Sequence, residues 1–311
     1  MRTLTRLSRS AMLAIALLGP RALCAQDTPA SARAKQDVLW IRMEDSVRRV
    51  AQETDAVIGI AIVDLTDQRS FLLHGDEGFP TASTIKIAVL AELYRQNERP
   101  AGAKLGDLYT VEAKDIVGGS DIMAGLTPGV TRITNRDLAT MMIAVSDNSA
   151  TNVLIERVGM ENVNGLLTQL GLTRTRLRRR MMDVSAAREG RENTATPRDL
   201  VTLLAALYRG QVFGKSTTDD YFKMLGTHKD SYIPRLLPPD LTIADKPGDL
   251  DAVRNDAGIV FVPGRPFAIA VMTTFGRDER ESERSIARIA RAAWVYFDLV
   301  GKSSPLGRII R

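Results

Sequence analysis

Apolar runs near both ends of the chain have the length and composition of buried strands. Residues 56–65, AVIGIAIVDL, are rich in β-branched side chains, and residues 68–78, QRSFLLHGDEG, follow as a hairpin partner. Three further strand-like runs occupy residues 241–246, 253–264 and 265–275. With turns near Asp249 and Gly264, these runs predict an antiparallel meander that completes the sheet.

Helical spacing of apolar residues flanks these strands. Residues 36–54 repeat apolar side chains every three or four positions, which predicts a first helix. The last helix is predicted over residues 283–301. Its apolar face is formed by Ile286, Ile289, Ala293 and Phe297.

The middle of the chain, from about residue 108 to residue 229, is predicted to be mostly helical. Residues 135–159 form one helix in this interpretation, with Asn135 and Gly159 as its caps, and Pro197 and Gly210 bound another. Residues 173–193 are polar and aperiodic, which indicates a long loop.

The order of these elements predicts an α/β (α+β) fold: an antiparallel sheet flanked by helices, with an inserted all-helical lobe. We expect one catalytic domain over residues 37–311. Its α/β layer would comprise about residues 37–82 and 232–311, and the helical lobe about residues 83–231. A cleft between two such parts is a natural place for a site.

The first 25 residues have the pattern of a secretory signal peptide. Arg2, Arg6 and Arg9 precede a short apolar core at residues 11–19, and small residues then favour cleavage after Ala25. An N-terminal membrane anchor is the alternative. We expect a secreted or periplasmic protein in which residues 26–36 form a linker.

Removing that segment changes the charge and the chemistry available. The whole chain has a net charge of +5, but four arginines and no acidic residue lie in the segment, so the remainder carries +1. Nucleic-acid binding therefore gains no support. The single cysteine, Cys24, is removed as well, and His74 and His228 are too far apart in sequence for ligand spacing, so we expect no metal and no cofactor.

A serine and a lysine open the apolar stretch TASTIKIAVLAEL at residues 81–93. Ser83 and Lys86 are three positions apart and share a helix face near a helix N-terminus, where backbone N–H groups favour negative charge. A helix that is apolar on every side is buried. Burial and a second cation lower the pKa of a lysine, as a general base near neutral pH requires.

Two further motifs follow in order. Ser146, Asp147 and Asn148 interrupt an apolar helical stretch, either as a break between helices or as polar groups presented to a cleft. Lys246 ends a strand before Pro247 and Gly248, an ordinary turn sequence. Arg254 follows on the next strand, and the two cations could together bind a carboxylate.

These three motifs, in this order, resemble the penicillin-recognising serine hydrolases, and most closely class A β-lactamases. The resemblance covers nearly the whole chain after the leader. It implies that Ser83 attacks the β-lactam carbonyl, that Lys86 helps to remove its proton and that Ser146 passes a proton to the leaving nitrogen. The substrate-binding residues that it implies are Asn148 for the side-chain amide, Lys246 and Arg254 for the carboxylate, and the segment of Gly248 and Asp249. The backbone N–H groups of Asp249 and Ser83 would form the oxyanion hole.

The chain departs from the family pattern at two positions. Pro247 replaces a threonine or serine, so one hydroxyl expected at the carboxylate is missing. If Arg179 anchors the long loop, Met181 occupies the place of the glutamate that activates the deacylating water. Other bases available in the loop are Asp183, Glu189 and Glu192.

Losing a general base costs about 10² to 10⁴ in rate, so acylation is better supported than fast turnover. We expect a monomeric hydrolase that acts on a small-molecule β-lactam. The alternatives are a D-Ala-D-Ala peptidase or esterase of the same fold, acting on peptidoglycan peptides, and a non-hydrolysing penicillin-binding receptor.

Overall fold

The computed structural model describes residues 29–309, with side chains from residue 33. The nine strands of this part are β1 (Val57–Asp64), β2 (Ser70–Leu73), β3 (Phe79–Pro80), β4 (Leu108–Thr110), β5 (Arg132–Thr134), β6 (Thr194–Ala195), β7 (Ile243–Leu250), β8 (Val253–Val260) and β9 (Phe267–Thr274). The nine helices of the same residues are α1 (Pro29–Glu53), α2 (Lys86–Glu98), α3 (Asn135–Ala144), α4 (Asn148–Val158), α5 (Met160–Gln169), α6 (Val184–Arg188), α7 (Pro197–Tyr208), α8 (Lys215–Leu225) and α9 (Glu279–Gly301). The proposed leader, residues 1–25, lies outside the described residues.

The main sheet has five antiparallel strands in the order β2-β1-β9-β8-β7. Strand β1 pairs with β2 as a hairpin and with β9 along its full length, from Val57 opposite Thr274 to Asp64 opposite Phe267. Strands β7, β8 and β9 form the expected meander. The predicted fold class is therefore confirmed.

Alternate residues of the strands supply two separate cores, one on each face of the sheet. Ile58, Ile60 and Ile62 of β1 point into a core formed with α1 and α9, whereas Ala61 belongs to the core shared with the helical lobe. The apolar face predicted for the last helix is correct, because all four of its residues are buried against the sheet.

Helix α2 is enclosed by the helical lobe and by α8, with its residues from Lys86 to Gln96 all buried. Burial on every side explains why its sequence is apolar all round. No helix in the described part of the chain is long and apolar enough to cross a bilayer.

The structure corrects three local predictions. Residues 29–36, expected to be a linker, form the first turns of α1. The single helix expected over residues 135–159 is two helices, α3 and α4, with Thr134 rather than Asn135 as the N-cap of the first. Pro247 and Gly248 do not form a turn, because β7 continues through them to Leu250. Pro is tolerated there because β7 is an edge strand of the sheet.

Candidate active site

Ser83 lies in a short 3-10 turn, Ala82–Ile85, that leads directly into α2. Ala82 adopts a positive φ of 47°, which turns the chain sharply after β3. Two hydrogen bonds of the Thr81 backbone stabilise the turn. Its N–H donates to Asn193 O at 2.9 Å, and its carbonyl accepts a hydrogen bond from the Thr84 hydroxyl at 2.7 Å. The side chains of Ala82, Thr84 and Ile85 are buried, so the turn exposes Ser83 alone.

Lys86 is fully buried, and its Nζ has three acceptors: Ser146 O at 2.6 Å, Ser146 Oγ at 3.0 Å and Asn148 Oδ1 at 3.0 Å. Three acceptors match the three protons of an ammonium group. Burial lowers the pKa of Lys86 well below its usual value, and the nearby charge of Lys246 lowers it further. The side chain is therefore a base that loses its proton far more readily than a free lysine does.

Ser146 joins the two lysines to Ser83. Its Oγ donates to Ser83 Oγ at 2.9 Å and accepts from Lys246 Nζ at 3.1 Å as well as from Lys86. Ser146 adopts a positive φ of 57° at the break between α3 and α4, and its hydroxyl there faces Ser83.

The buried carboxylate of Asp147 holds this break in place. It caps α4 by accepting from Ala150 N at 2.9 Å, and it also accepts from Ile122 N at 3.2 Å and Met123 N at 2.9 Å. The backbone around Ser146 is thereby attached to the backbone of residues 122 and 123. Of the two interpretations of this motif, the structure shows the helix break, and it also places the Ser146 hydroxyl against Ser83.

Lys246 projects from β7 toward the helical lobe and is almost completely buried. Burial lowers its pKa to about 8, helped by the charge of Lys229. Its ammonium group donates to Ser146 Oγ and to Pro247 O, both at 3.1 Å. Pro247 therefore supplies its carbonyl to this lysine, although it lacks the expected hydroxyl.

Gly248 packs directly against the turn that carries Ser83. A Cβ at this position would lie 2.8 Å from Ser83 N, 2.9 Å from Thr81 O and 3.0 Å from Thr84 N, all of which are backbone atoms. Only glycine lets the strand approach the nucleophile so closely. Asp249 follows it on β7, so its backbone lies next to this contact.

Arg254 does not join Lys246. Lys246 lies opposite Ala257, whereas Arg254 lies opposite Asp249, and these two pairs point to opposite faces of the sheet because side chains alternate along a strand. The guanidinium group is bound instead by Glu279 and Glu283 of α9. The register places the two cations on different faces of the sheet, so a joint role in binding a carboxylate stays a prediction.

Comparisons with known proteins agree with this geometry. A family model described as "Beta-lactamase enzyme family" matches residues 42–297. The chain belongs to this beta-lactamase family. It is 32% identical to the beta-lactamase AST-1 of Nocardia asteroides, over 79% of this chain and 80% of that protein.

Two solved structures extend the similarity from sequence to fold. A beta-lactamase from Sphaerobacter thermophilus is 30% identical, with a TM-score of 0.72 over 82% of this chain and 96% of that one. A mutant of PBP-A, solved as an acyl-enzyme complex with penicillin-G, is 27% identical, with a TM-score of 0.75 over 84% of this chain and 97% of that one. This beta-lactamase family member is therefore similar to beta-lactamases and to a penicillin-binding protein alike.

The three acidic residues proposed as a base in the loop of this family member are engaged elsewhere. Asp183 caps the short helix α6 by accepting from Ala186 N at 3.0 Å. Glu189 pairs with Arg191, and Glu192 accepts from Arg179 at 2.7 Å. Among the described residues, none of the three has a hydrogen bond to Ser83, Lys86 or Ser146.

Sequence reasoning missed two asparagines that position this site. Asn152 binds the backbone of Met181: Met181 N donates to its Oδ1 at 2.8 Å, and its Nδ2 donates to Met181 O at 3.1 Å. Asn255 of β8 donates to Pro80 O at 2.8 Å and to Thr81 O at 3.1 Å, just before the nucleophile. The available signal was a polar residue at a buried position of an otherwise apolar element.

Proposed function

We propose that the chain is a secreted serine hydrolase that is acylated by β-lactams at Ser83 and deacylates slowly. The observation that carries the proposal is the hydrogen-bonded chain from Ser83 Oγ through Ser146 Oγ to Lys86 Nζ, with steps of 2.9 Å and 3.0 Å. It gives the nucleophile a route for its proton to a buried amine whose pKa is lowered.

The chemistry follows from this route. When Lys86 is neutral, the hydroxyl hydrogens reverse, so that Ser83 donates to Ser146 and Ser146 donates to Lys86. Ser83 Oγ then bonds to the carbonyl carbon of the lactam. The C–N bond of the ring breaks, and the nitrogen takes a proton from Ser146, which is restored by Lys86. The product is an ester between Ser83 and the opened β-lactam.

Binding uses the groups around this route. Lys246, when protonated, attracts the carboxylate of the substrate, and Asn148 offers an amide to the side chain of the substrate. The backbone N–H groups of Ser83 and Asp249 stabilise the oxyanion, at about 3–4 kcal/mol for each donor. Arg254 adds positive charge from the other face, reduced by its two glutamate partners.

Hydrolysis of the ester requires a base that removes a proton from the attacking water. The residue at position 181 is a methionine, whose thioether cannot act as that base. The second candidate function is therefore a penicillin-binding peptidase or receptor that keeps its acyl group. We favour slow turnover of β-lactams because the acylating groups are all present while the acids of the loop are paired or capping.

Rapid mixing with a chromogenic cephalosporin distinguishes a β-lactamase from a penicillin-binding peptidase or receptor. Steady release of many product equivalents per protein identifies a β-lactamase, whereas one stoichiometric burst identifies a peptidase or receptor. Labelling with a fluorescent penicillin tests the nucleophile in either case. Ser83→Ala should abolish the label and the control Ser70→Ala, an exposed serine of β2, should keep it. A labelled Ser83→Ala protein would refute the assignment.

Secretion is part of the proposal and is tested separately. The expressed full-length chain should appear in the periplasm with Gln26 as its first residue, which mass spectrometry of the intact protein measures. A mature protein that retains Met1 would contradict cleavage after Ala25.

A further inference from the structure

Lys229, Asp245 and Asp256 form a buried cluster at the edge of the sheet. Asp245 directly precedes Lys246 on β7, so the two side chains point to opposite faces of the sheet. Lys229 Nζ donates to Asp245 Oδ1 at 3.4 Å and to Leu225 O, at the end of α8, at 2.8 Å. The side chain of Lys229 is 4% exposed and that of Asp245 is 3% exposed, so this ion pair is shielded from water.

Asp256 attaches β8 to the segment that follows this lysine. It is fully buried, and its Oδ2 accepts hydrogen bonds from the N–H groups of Tyr232 and Ile233, both at 2.9 Å. The Tyr232 hydroxyl in turn donates to Asp249, whose backbone lies beside the turn of the nucleophile. One oxygen of Asp256 therefore positions a segment that reaches the active site.

The other oxygen of Asp256 and one oxygen of Asp245 are left over. Asp245 Oδ2 and Asp256 Oδ1 are both buried, and neither makes a hydrogen bond to any described residue. Burying a carboxylate oxygen without a hydrogen bond is costly, and such atoms are rare in folded proteins. Two of them in one cluster indicate a hydrogen that lies between them.

The register of the strands brings the two acids together. Asp245 lies opposite Gly258, and Asp256 is two residues before that glycine, so both side chains are on one face of the sheet. A Cβ added at Gly258 would lie 2.5 Å from Asp245 Cβ, so Asp245 fills the space that a side chain would need there. Asp245 therefore covers β8 next to Asp256, its diagonal neighbour.

The charges around Asp256 favour a proton on it. Burial and the neighbouring charge of Asp245 raise the pKa of Asp256 well above its usual value, against the opposing effects of two backbone N–H groups and the Lys229 ammonium group. Helix α9 also packs against β8, and its Glu283 is bound by two arginines. A proton on one of the two carboxyl groups leaves a single negative charge, which Lys229 neutralises.

We infer that Asp245 and Asp256 share one proton, held between Oδ2 of the first and Oδ1 of the second. One O–H···O bond then satisfies both unpartnered oxygens, and Lys229 balances the remaining negative charge. The cluster is thereby a positioning unit for the edge of the sheet that carries Lys246. The shared proton does not depend on the chemistry proposed for the nucleophile, whereas an effect on penicillin labelling rests on it.

Infrared spectroscopy of the whole protein tests the shared proton directly. A protonated carboxyl group has a C=O stretching band that a carboxylate lacks. At pH 7 the spectrum should contain such a band, and Asp256→Asn should remove it. The control Asp240→Asn, an exposed acid elsewhere in the described chain, should retain it. A wild-type spectrum without the band, or a band that persists in Asp256→Asn, would overturn the inference.

Urea unfolding detects the same proton through stability. A carboxyl group whose pKa is raised in the folded state contributes stability that is complete below its unfolded pKa, about 3.9, and is lost as pH rises toward its folded pKa. Asparagine offers one donor and one acceptor, as a protonated acid does, at every pH. The ratio of the unfolding constants of the wild type and Asp256→Asn should therefore rise up to about tenfold per pH unit above about pH 4. A ratio that is independent of pH would contradict the shared proton.

Penicillin labelling tests the positioning role. Asp256→Ala should slow the labelling of Ser83 roughly tenfold, because the buried N–H groups of Tyr232 and Ile233 lose their acceptor. Asp256→Asn keeps an acceptor and should label at the wild-type rate. Equal rates in all three proteins would refute the positioning role. Absence of labelling in the wild type would instead refute the proposed function, and the infrared and unfolding results would still decide the shared proton.

The pH dependence of penicillin binding separates this role from a general loss of stability. It is measured in Ser83→Ala, which binds without being acylated. An ionised Asp256 would hold the proton on Lys246 more firmly, so its replacement by asparagine would move the loss of affinity to lower pH. A protonated Asp256 predicts the same midpoint with and without Asp256→Asn. A lower midpoint in the double variant would overturn the inference.

Discussion

Asn148 and Asn152 lie one helical turn apart on α4, the first bound to Lys86 and the second to both backbone groups of Met181. Side chains four residues apart on a helix share a face. Position 181 is therefore held next to the lysine network, and its side chain is almost buried. The residue at this place is a methionine, which cannot accept a proton from water.

Met181→Glu should accelerate the release of a bound penicilloyl group. A general base contributes about 10² to 10⁴ in rate, and even part of that factor would change a burst into measurable turnover. The measurement is the decay of the acyl-protein by mass spectrometry after rapid mixing. Met182→Glu, at the exposed neighbouring position, is the control and should leave the decay unchanged. Equal acceleration by both variants would contradict a specific role for position 181.

Affinity for anionic substrates should fall as pH rises through about 8. The reason is that Lys246, with its pKa lowered to about 8, loses its charge there and no longer attracts a carboxylate. The measurement is the dissociation constant of a penicillin for the Ser83→Ala variant at each pH. This variant cannot be acylated, so the constant reports binding alone. In the double variant that also carries Lys246→Arg, the affinity should no longer fall between pH 7 and pH 9.5, because arginine stays charged in this range. A fall that persists in the double variant would assign it to another group, with Lys86 the nearest.

Gly248→Ala should damage the turn of the nucleophile. The added Cβ would meet three backbone atoms at 2.8–3.0 Å, and such overpacking costs about 1–3 kcal/mol of unfolding free energy. Penicillin labelling should also slow. Urea unfolding and labelling rates measure the two effects. Gly78→Ala is the matched control, because a Cβ there has no neighbour within 4 Å. Wild-type stability and labelling in Gly248→Ala would refute the close packing.

Arg254→Ala should raise KM a few-fold and leave kcat nearly unchanged. Its charge lies across the sheet from Lys246 and is reduced by Glu279 and Glu283, so its attraction for a carboxylate is limited to roughly 1 kcal/mol. Steady-state kinetics provide the test, with Arg284→Ala of α9 as the exposed control. A loss confined to kcat would exclude a role in substrate attraction.

The residues that short motifs single out in the sequence lie together in the structure, whereas their catalytic roles stay predictions. Ser83 and Lys86 are three residues apart, so their positions on one helical turn follow from the local sequence. Ser146 and Lys246 can be recognised because they are polar residues in otherwise apolar elements. The place of Arg254 depends on strand register, which alternation along a single strand does not reveal. The break at Ser146 depends on Asp147 binding to a loop more than twenty residues earlier, a tertiary contact that overrides helix propensity.

The main sheet pairs β1, an early strand of the chain, with β9, which is synthesised about 200 residues later. Val57 of β1 pairs with Thr274 of β9, so the first long strand has no inner neighbour until nearly all of the chain has left the ribosome. Contacts of such high sequence separation form slowly, because a long loop must close first. Strand β7, which carries Lys246, is likewise made late and stands at the edge of the sheet. The sheet therefore cannot close on β1, and Lys246 cannot meet Ser146, until most of the chain has been synthesised.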